Sequence, residues 1–108
     1  MQAAPFQPTR KRLMQIILLN KTTESRLTEV RSEMETLGAP VVQCFELEDG
    51  KYMALEGSHR LTAAKELGLT PILDVVDKLE KDDPDNDQFY ADAKRRILKG
   101  LLLEFPEV

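Results

Sequence analysis

Residues 51–76 hold an extended run, a glycine turn, a helix and a second extended run, with almost no spare chain between them. Lys51-Tyr52-Met53-Ala54-Leu55 has the composition of a strand, and Ile72-Leu73-Asp74-Val75-Val76 is another such run. Between them, Glu56-Gly57-Ser58-His59-Arg60 opens a helical segment that continues through Leu67 and stops at Gly68. Ser58 can cap the helix start, and Gly68 can close its end. A strand that turns abruptly into a helix gathers backbone N–H groups around one point. That point attracts anions, because the first turn has no intrahelical acceptors and carries the positive end of the helix dipole. His59 and Arg60 stand in the same turn. The segment therefore predicts a strand–helix–strand unit with an anion-binding corner at residues 56–60.

The preceding sequence supplies partners for this unit. Residues 13–19 form an apolar run broken only by Gln15, which predicts a buried strand. Thr22-Thr23-Glu24 then offers a helix start, with threonine at the cap and an acid in the first turn. Leu27, Val30, Met34 and Leu37 follow at spacings of three and four, as one core-facing stripe. Gly38 ends that helix and Pro40 keeps it ended. Residues 41–48 and 51–55 flank Asp49-Gly50, the signal of a two-residue hairpin turn that would set Glu48 opposite Lys51. Strand, helix, hairpin, helix and strand in this order predict an α+β fold, a small mixed sheet flanked by helices.

The two ends are less regular. Residues 1–12 contain Pro5, Pro8 and the basic run Arg10-Lys11-Arg12, and read as a flexible arm with a solvated approach to the first strand. Residues 13–77 form the expected core, and 78–87 an acidic loop. In that loop Asp83, Asp85 and Asp87 mimic the start of a calcium loop. Gln88 stands where glycine is needed and Lys94 where the closing acid belongs, so calcium is not expected. Instead, residues 85–87 should cap a last helix within 88–108, its face lined by Phe89, Ala93, Ile97 and Leu101. Lys94, Arg95, Arg96 and Lys99 crowd its second half, where cations suit the dipole. The apolar cluster Leu101-Leu102-Leu103 with Phe105 should fold back on the sheet. The other reading makes the C-terminal helix a surface for a second copy or a protein partner.

Composition narrows the function classes. A chain of 108 residues, 42% hydrophobic, can build one modest core as a single domain. The formal net charge of −4 argues against a general nucleic-acid or membrane-surface binder and leaves room for a local basic patch. Cys44 is the one cysteine, so no intrachain disulfide can form, which suits a reducing cytosol. It lies mid-strand without an activating base and reads as a buried, functionally silent thiol. No apolar signal core and no run near ~20 apolar residues is present, so the expected location is cytoplasmic.

The segment Gly57-Ser58-His59-Arg60-Leu61-Thr62-Ala63-Ala64-Lys65-Glu66-Leu67-Gly68, entered after an acidic residue, resembles the signature of the ParB/sulfiredoxin-like domain superfamily. The resemblance covers residues 13–77. It implies that the turn and helix start bind nucleotide phosphates through Gly57, Ser58, His59 and Arg60, with Glu56 at the acidic entrance. The implied function is that of a stand-alone ParB-like domain that binds a nucleotide or phosphoester. Mg²⁺-dependent phosphoryl transfer or nucleotide hydrolysis would be its catalytic form, and Mg²⁺ with ATP, ADP or CTP its cofactors. Sulfiredoxins carry a nucleophilic cysteine directly before the His-Arg pair, where this chain has Ser58, so their chemistry is not expected. Chromosome-partition ParB proteins add helix-turn-helix and dimerisation domains that do not fit in 108 residues, and tight sequence-specific DNA binding by this chain alone is not expected. The Gly-x-His-Arg form is closer to free-serine-kinase-like and other ParB-like domains.

Each site residue also has a plainer role. Arg60 offers a planar, permanent cation to phosphate oxygens, or an ion pair to Glu56 or Glu66. His59, the chain's one histidine, could donate to phosphate, shuttle a proton, or shape the turn. Ser58 could contact phosphate or serve only as a cap. Glu56 could hold Mg²⁺ beside the phosphates, act as a base, or be an exposed acid at a strand end. Catalytic roles fall to Glu56 and His59, and no metal site made by the protein alone is expected. The alternative function is a non-catalytic module for protein or nucleic-acid contact through the basic side of the last helix.

Overall fold

The structure, a computed structural model, describes residues 13–48 and 50–106. The arm at 1–12, Asp49 of the turn and the last two residues lie outside the described residues. The elements in chain order are β1 (Leu13–Ile17), α1 (Glu24–Leu37), β2 (Val41–Glu46), β3 (Lys51–Ala54), α2 (Ser58–Leu67), β4 (Ile72–Lys78), α3 (Asp87–Leu98) and β5 (Leu102–Pro106). A 3₁₀ turn, Pro84–Asn86, leads into α3. The strands form one mixed sheet in the order β4-β2-β3-β1-β5. β1 runs parallel to β3, β4 parallel to β2, and the β2–β3 and β1–β5 pairs are antiparallel. This is the α+β class that the sequence predicts, a mixed sheet with helices on it.

The core has three parts. On one face of the sheet, Leu61 and Ala64 of α2 pack against Met14, Ile16, Val42, Ala54 and Phe105. On the other side of α2, Ala63 meets Leu27, Val30 and Met34 of α1. Thus α2 lies between the sheet and α1, and its alanines let both neighbours approach closely. α1 covers a helix rather than a sheet, so it buries a narrow stripe. Leu37, expected in that stripe, is 76% exposed. On the opposite face of the sheet, Ala93 of α3 packs with Ile17, Leu47 and Met53.

Two local expectations are corrected. The hairpin register sets Glu46 opposite Tyr52, and Leu47 donates its N–H to the Lys51 carbonyl at 2.9 Å. Lys51 thus stands against Leu47, while the Glu48 carbonyl accepts its N–H, as at a β-bulge. Glu48 pairs instead with Lys81, at 3.0 Å. α3 ends before Leu101, because Gly100 adopts φ 80° and turns the chain out of the helix. Leu101 then enters the core on the α2 side. The C-terminal cluster does fold back, and it does so as β5, an edge strand along β1. Asn86, within the expected residues 85–87, holds the cap position of α3 without a side-chain capping bond, and Asp83 caps the 3₁₀ turn before it, its carboxylate accepting from the Asp85 N–H at 2.9 Å.

Cys44 faces the interior between Ala54 on β3 and Val75 on β4, with no exposed surface. Burial pushes its thiol up to about 11, and the Asp74 and Glu46 charges push the same way. An unfolded thiol ionises near pH ~8.5, so stability should fall as pH rises from there toward the folded value. Iodoacetamide at pH 8 should label the native thiol roughly two orders of magnitude more slowly than the denatured one. Cys44→Ser should cost stability and leave ligand affinity unchanged. Rapid native labelling would overturn this placement.

Candidate functional site

The site forms where β3 passes into α2. The backbone must turn within residues 55–57, and Gly57 makes that possible with φ 73° and ψ 30°. A β-carbon there would lie 3.3 Å from Arg60 Nη2 and 3.3 Å from Val42 Cγ2. Glycine is therefore required twice, by the left-handed backbone and by the close approach of Arg60. Gly57, not Ser58, occupies the cap position, and no side chain caps α2. The Gly57 carbonyl accepts the Leu61 N–H at 2.8 Å. The N–H groups of Ser58, His59 and Arg60 have no acceptor among the described residues.

The side chains divide into two groups. Ser58 and His59 hold the loop between β1 and α1. Buried Ser58 accepts the Asn20 N–H on its hydroxyl at 3.0 Å, and His59 Nε2 accepts the Thr23 N–H at 3.0 Å. This bond assigns Nε2 as acceptor and leaves Nδ1 as the protonated nitrogen of the neutral ring. Thr23 sits at the cap position of α1 without a capping bond from its own hydroxyl. The start of α1 is thus fixed from α2.

Glu56 and Arg60 make their contacts with β2. The Glu56 carboxylate accepts the Gln43 N–H at 3.2 Å, and its second oxygen lies 3.6 Å from Arg60 Nη2. Arg60 also donates to the Val41 carbonyl at 3.4 Å. Both Arg60 contacts are long and its side chain is 37% exposed, so the guanidinium is only loosely committed. Glu66, its other candidate partner, binds Arg31 of α1 at 2.8 Å. Lys65 is exposed, donates to the Glu104 carbonyl and lies 5.5 Å from the centre of the Phe105 ring.

Gly57, Ser58, His59 and Arg60 line one cleft of about 300 Å³. Its opposite wall is α1, through Arg26, Val30 and Glu33, and its end is Leu19 and Asn20. Glu56 does not line it. Arg26 and Asn20 are residues that sequence reasoning passes over. Asn20 marks the end of an apolar run, which is a visible signal. Arg26 carries none, because only the packing of α1 on α2 brings it there. Arg26 pairs with Glu29 at 2.9 Å on an exposed face, a weak tether. The cleft thus combines three open N–H groups and two arginines with one opposing carboxylate, Glu33.

No group of three or more metal-ligating side chains occurs among the described residues. Glu56 is a single carboxylate with both oxygens in contact. It fits only a Mg²⁺ that arrives with its phosphates, since this ion keeps much of its water and takes few protein ligands. Nor is any helix among the described residues long and apolar enough to cross a membrane. No family model, no curated protein and no solved structure matches the chain.

Proposed function

We propose that this chain binds a nucleotide or another phosphoester in the cleft over the start of α2. One observation carries the reading: the open N–H groups of Ser58, His59 and Arg60 share a cleft with the loosely held guanidinium of Arg60. A phosphate there would accept from the backbone, and Arg60 could close over it without breaking a strong bond. The motif resemblance to ParB/sulfiredoxin-like domains points to the same ligand class. Mg²⁺-dependent transfer or hydrolysis is the catalytic extension of this reading. In it, Mg²⁺ bound with the phosphates would draw charge from the leaving oxygen. Glu56 would steady that ion from outside the cleft, and His59 would hold the α1 loop and offer its Nδ1 hydrogen.

A nucleotide panel read by thermal shift tests it, with and without Mg²⁺. ATP, ADP or CTP should raise the melting temperature by several degrees near saturation, since a ligand specific for the native state stabilises by mass action. A flat response to every nucleotide would remove this reading.

The second reading is a non-catalytic contact module. It draws on a separate cleft where Lys21, Arg95, Arg96 and Lys99 stand against one carboxylate, Asp92. Asp92 already pairs with Arg95 at 3.2 Å and Arg96 at 2.9 Å, and the net charge of the chain is −4. DNA binding should therefore be weak and steeply salt-dependent. A specific complex near ~10⁻⁸ M at physiological salt in a gel shift would favour this module over the nucleotide site.

A further inference from the structure

A separate cavity lies on the face of the sheet covered by α3, away from the start of α2. It measures about 480 Å³, within the ~300–1,000 Å³ range of small-molecule sites. Its floor is apolar, formed by Ile17 and Leu47 below and by Ala93 and Ile97 of α3. Its rim carries Lys51, Lys81 and Lys94 against one carboxylate, Glu48. These charges are not equivalent. Lys81 is committed to Glu48 at 3.0 Å, and that hydrogen bond holds the carboxyl below its ordinary range and the ammonium above its own. The Tyr90 hydroxyl at the edge is committed too, donating to the Leu79 carbonyl at 2.6 Å. Lys51 and Lys94 form no ion pair among the described residues. They stand on different walls, one on β3 and one on α3.

We propose that this cavity binds an amphipathic carboxylate, with an apolar body on the floor and one anionic head between Lys51 and Lys94. The floor would favour any apolar body by removing its surface from water. Lys51 and Lys94 select the head, because cations at the mouth of a low-dielectric cleft attract anions and repel cations. A polar phosphate would leave the floor uncovered, so this is a different ligand class from that of the α2 cleft. The inference stands independently of the phosphoester reading.

The test uses the ¹⁵N-labelled full chain and two probes of equal chain length, decanoate and decyltrimethylammonium, each below its micelle concentration. Decanoate should bind saturably and shift the amide signals of Ile17, Leu47, Ala93 and Ile97. Its affinity should exceed that of the cationic probe by at least about tenfold. The double variant Lys51→Glu with Lys94→Glu should reverse that order. Its melting temperature should fall by only a few degrees, since neither lysine is buried and the losses are the Lys51 charge near Glu48 and the Lys94 charge on α3. Equal affinity for the two probes would overturn the proposal. So would shifts centred on Gly57 to Arg60, or the absence of saturable binding by decanoate.

Discussion

Phe105→Ala is expected to lower the unfolding free energy by about 3–5 kcal/mol, the cost of removing a fully buried aromatic ring. Phe105 is 1% exposed and packs with Met14, Ile16 and Leu61, so it joins β5, β1 and α2 in one cluster. The ring also lies beneath the Lys65 ammonium, whose attraction to an aromatic face adds to the loss. A domain of this size is stable by only ~5–15 kcal/mol, so the variant should sit near the edge of folding. Urea unfolding followed by circular dichroism measures the difference. Leu98→Ala is the control. Leu98 is 82% exposed at the end of α3, and its loss should change stability by no more than ~0.5 kcal/mol. If the two variants prove equally stable, β5 does not close the core as described.

Arg60→Ala should weaken nucleotide binding by ~1.5–3 kcal/mol, the range for a hydrogen bond to a charged group. Its effect on stability should be small. The Glu56 contact is long and exposed, and such pairs contribute ~0–1 kcal/mol. Arg60→Lys should recover part of the affinity, because an ammonium supplies the charge without the planar fork. Gly57→Ala should act differently and lower both properties. Positive φ costs a residue with a β-carbon ~1–2 kcal/mol, and that carbon would press on the Val42 methyl and on the Arg60 guanidinium. Melting temperature and nucleotide affinity, measured on all three variants, separate a binding residue from a structural one. If Arg60→Ala lowers the melting temperature and leaves affinity intact, Arg60 is an ion-pair residue and the phosphate reading fails at its centre.

Most element identities were legible locally. The 3.6-residue spacing of Leu27, Val30 and Met34, the glycines at 38, 57 and 68, and the apolar runs around Ile16 and Val42 act over a few residues. Their outcome does not depend on distant partners. The last strand was less legible, because Leu102–Pro106 is short and acquires its extended form from pairing with β1. The hairpin register is only partly legible for a related reason: Lys51 meets both Glu48 and Leu47. Asp-Gly marks where the chain turns, whereas hydrogen bonding and the packing of Leu47 and Met53 decide which residues face each other.

The site divides along the same line. Sequence alone determined the glycine turn, the helix that follows it and the presence of His59 and Arg60 in the first turn, since each of these depends on near neighbours in the chain. Tertiary structure alone decided how those groups are used. His59 reaches Thr23 across 36 positions and Ser58 reaches Asn20 across 38. These bonds exist because α1 packs on α2, and they draw two of the four turn residues into holding the fold. The same packing brings Arg26 to the cleft and leaves Glu56 outside it. Local signals carry backbone conformation because torsional preferences and capping act between near neighbours. The direction and partner of a polar side chain are set by whichever distant surface the apolar core brings against it.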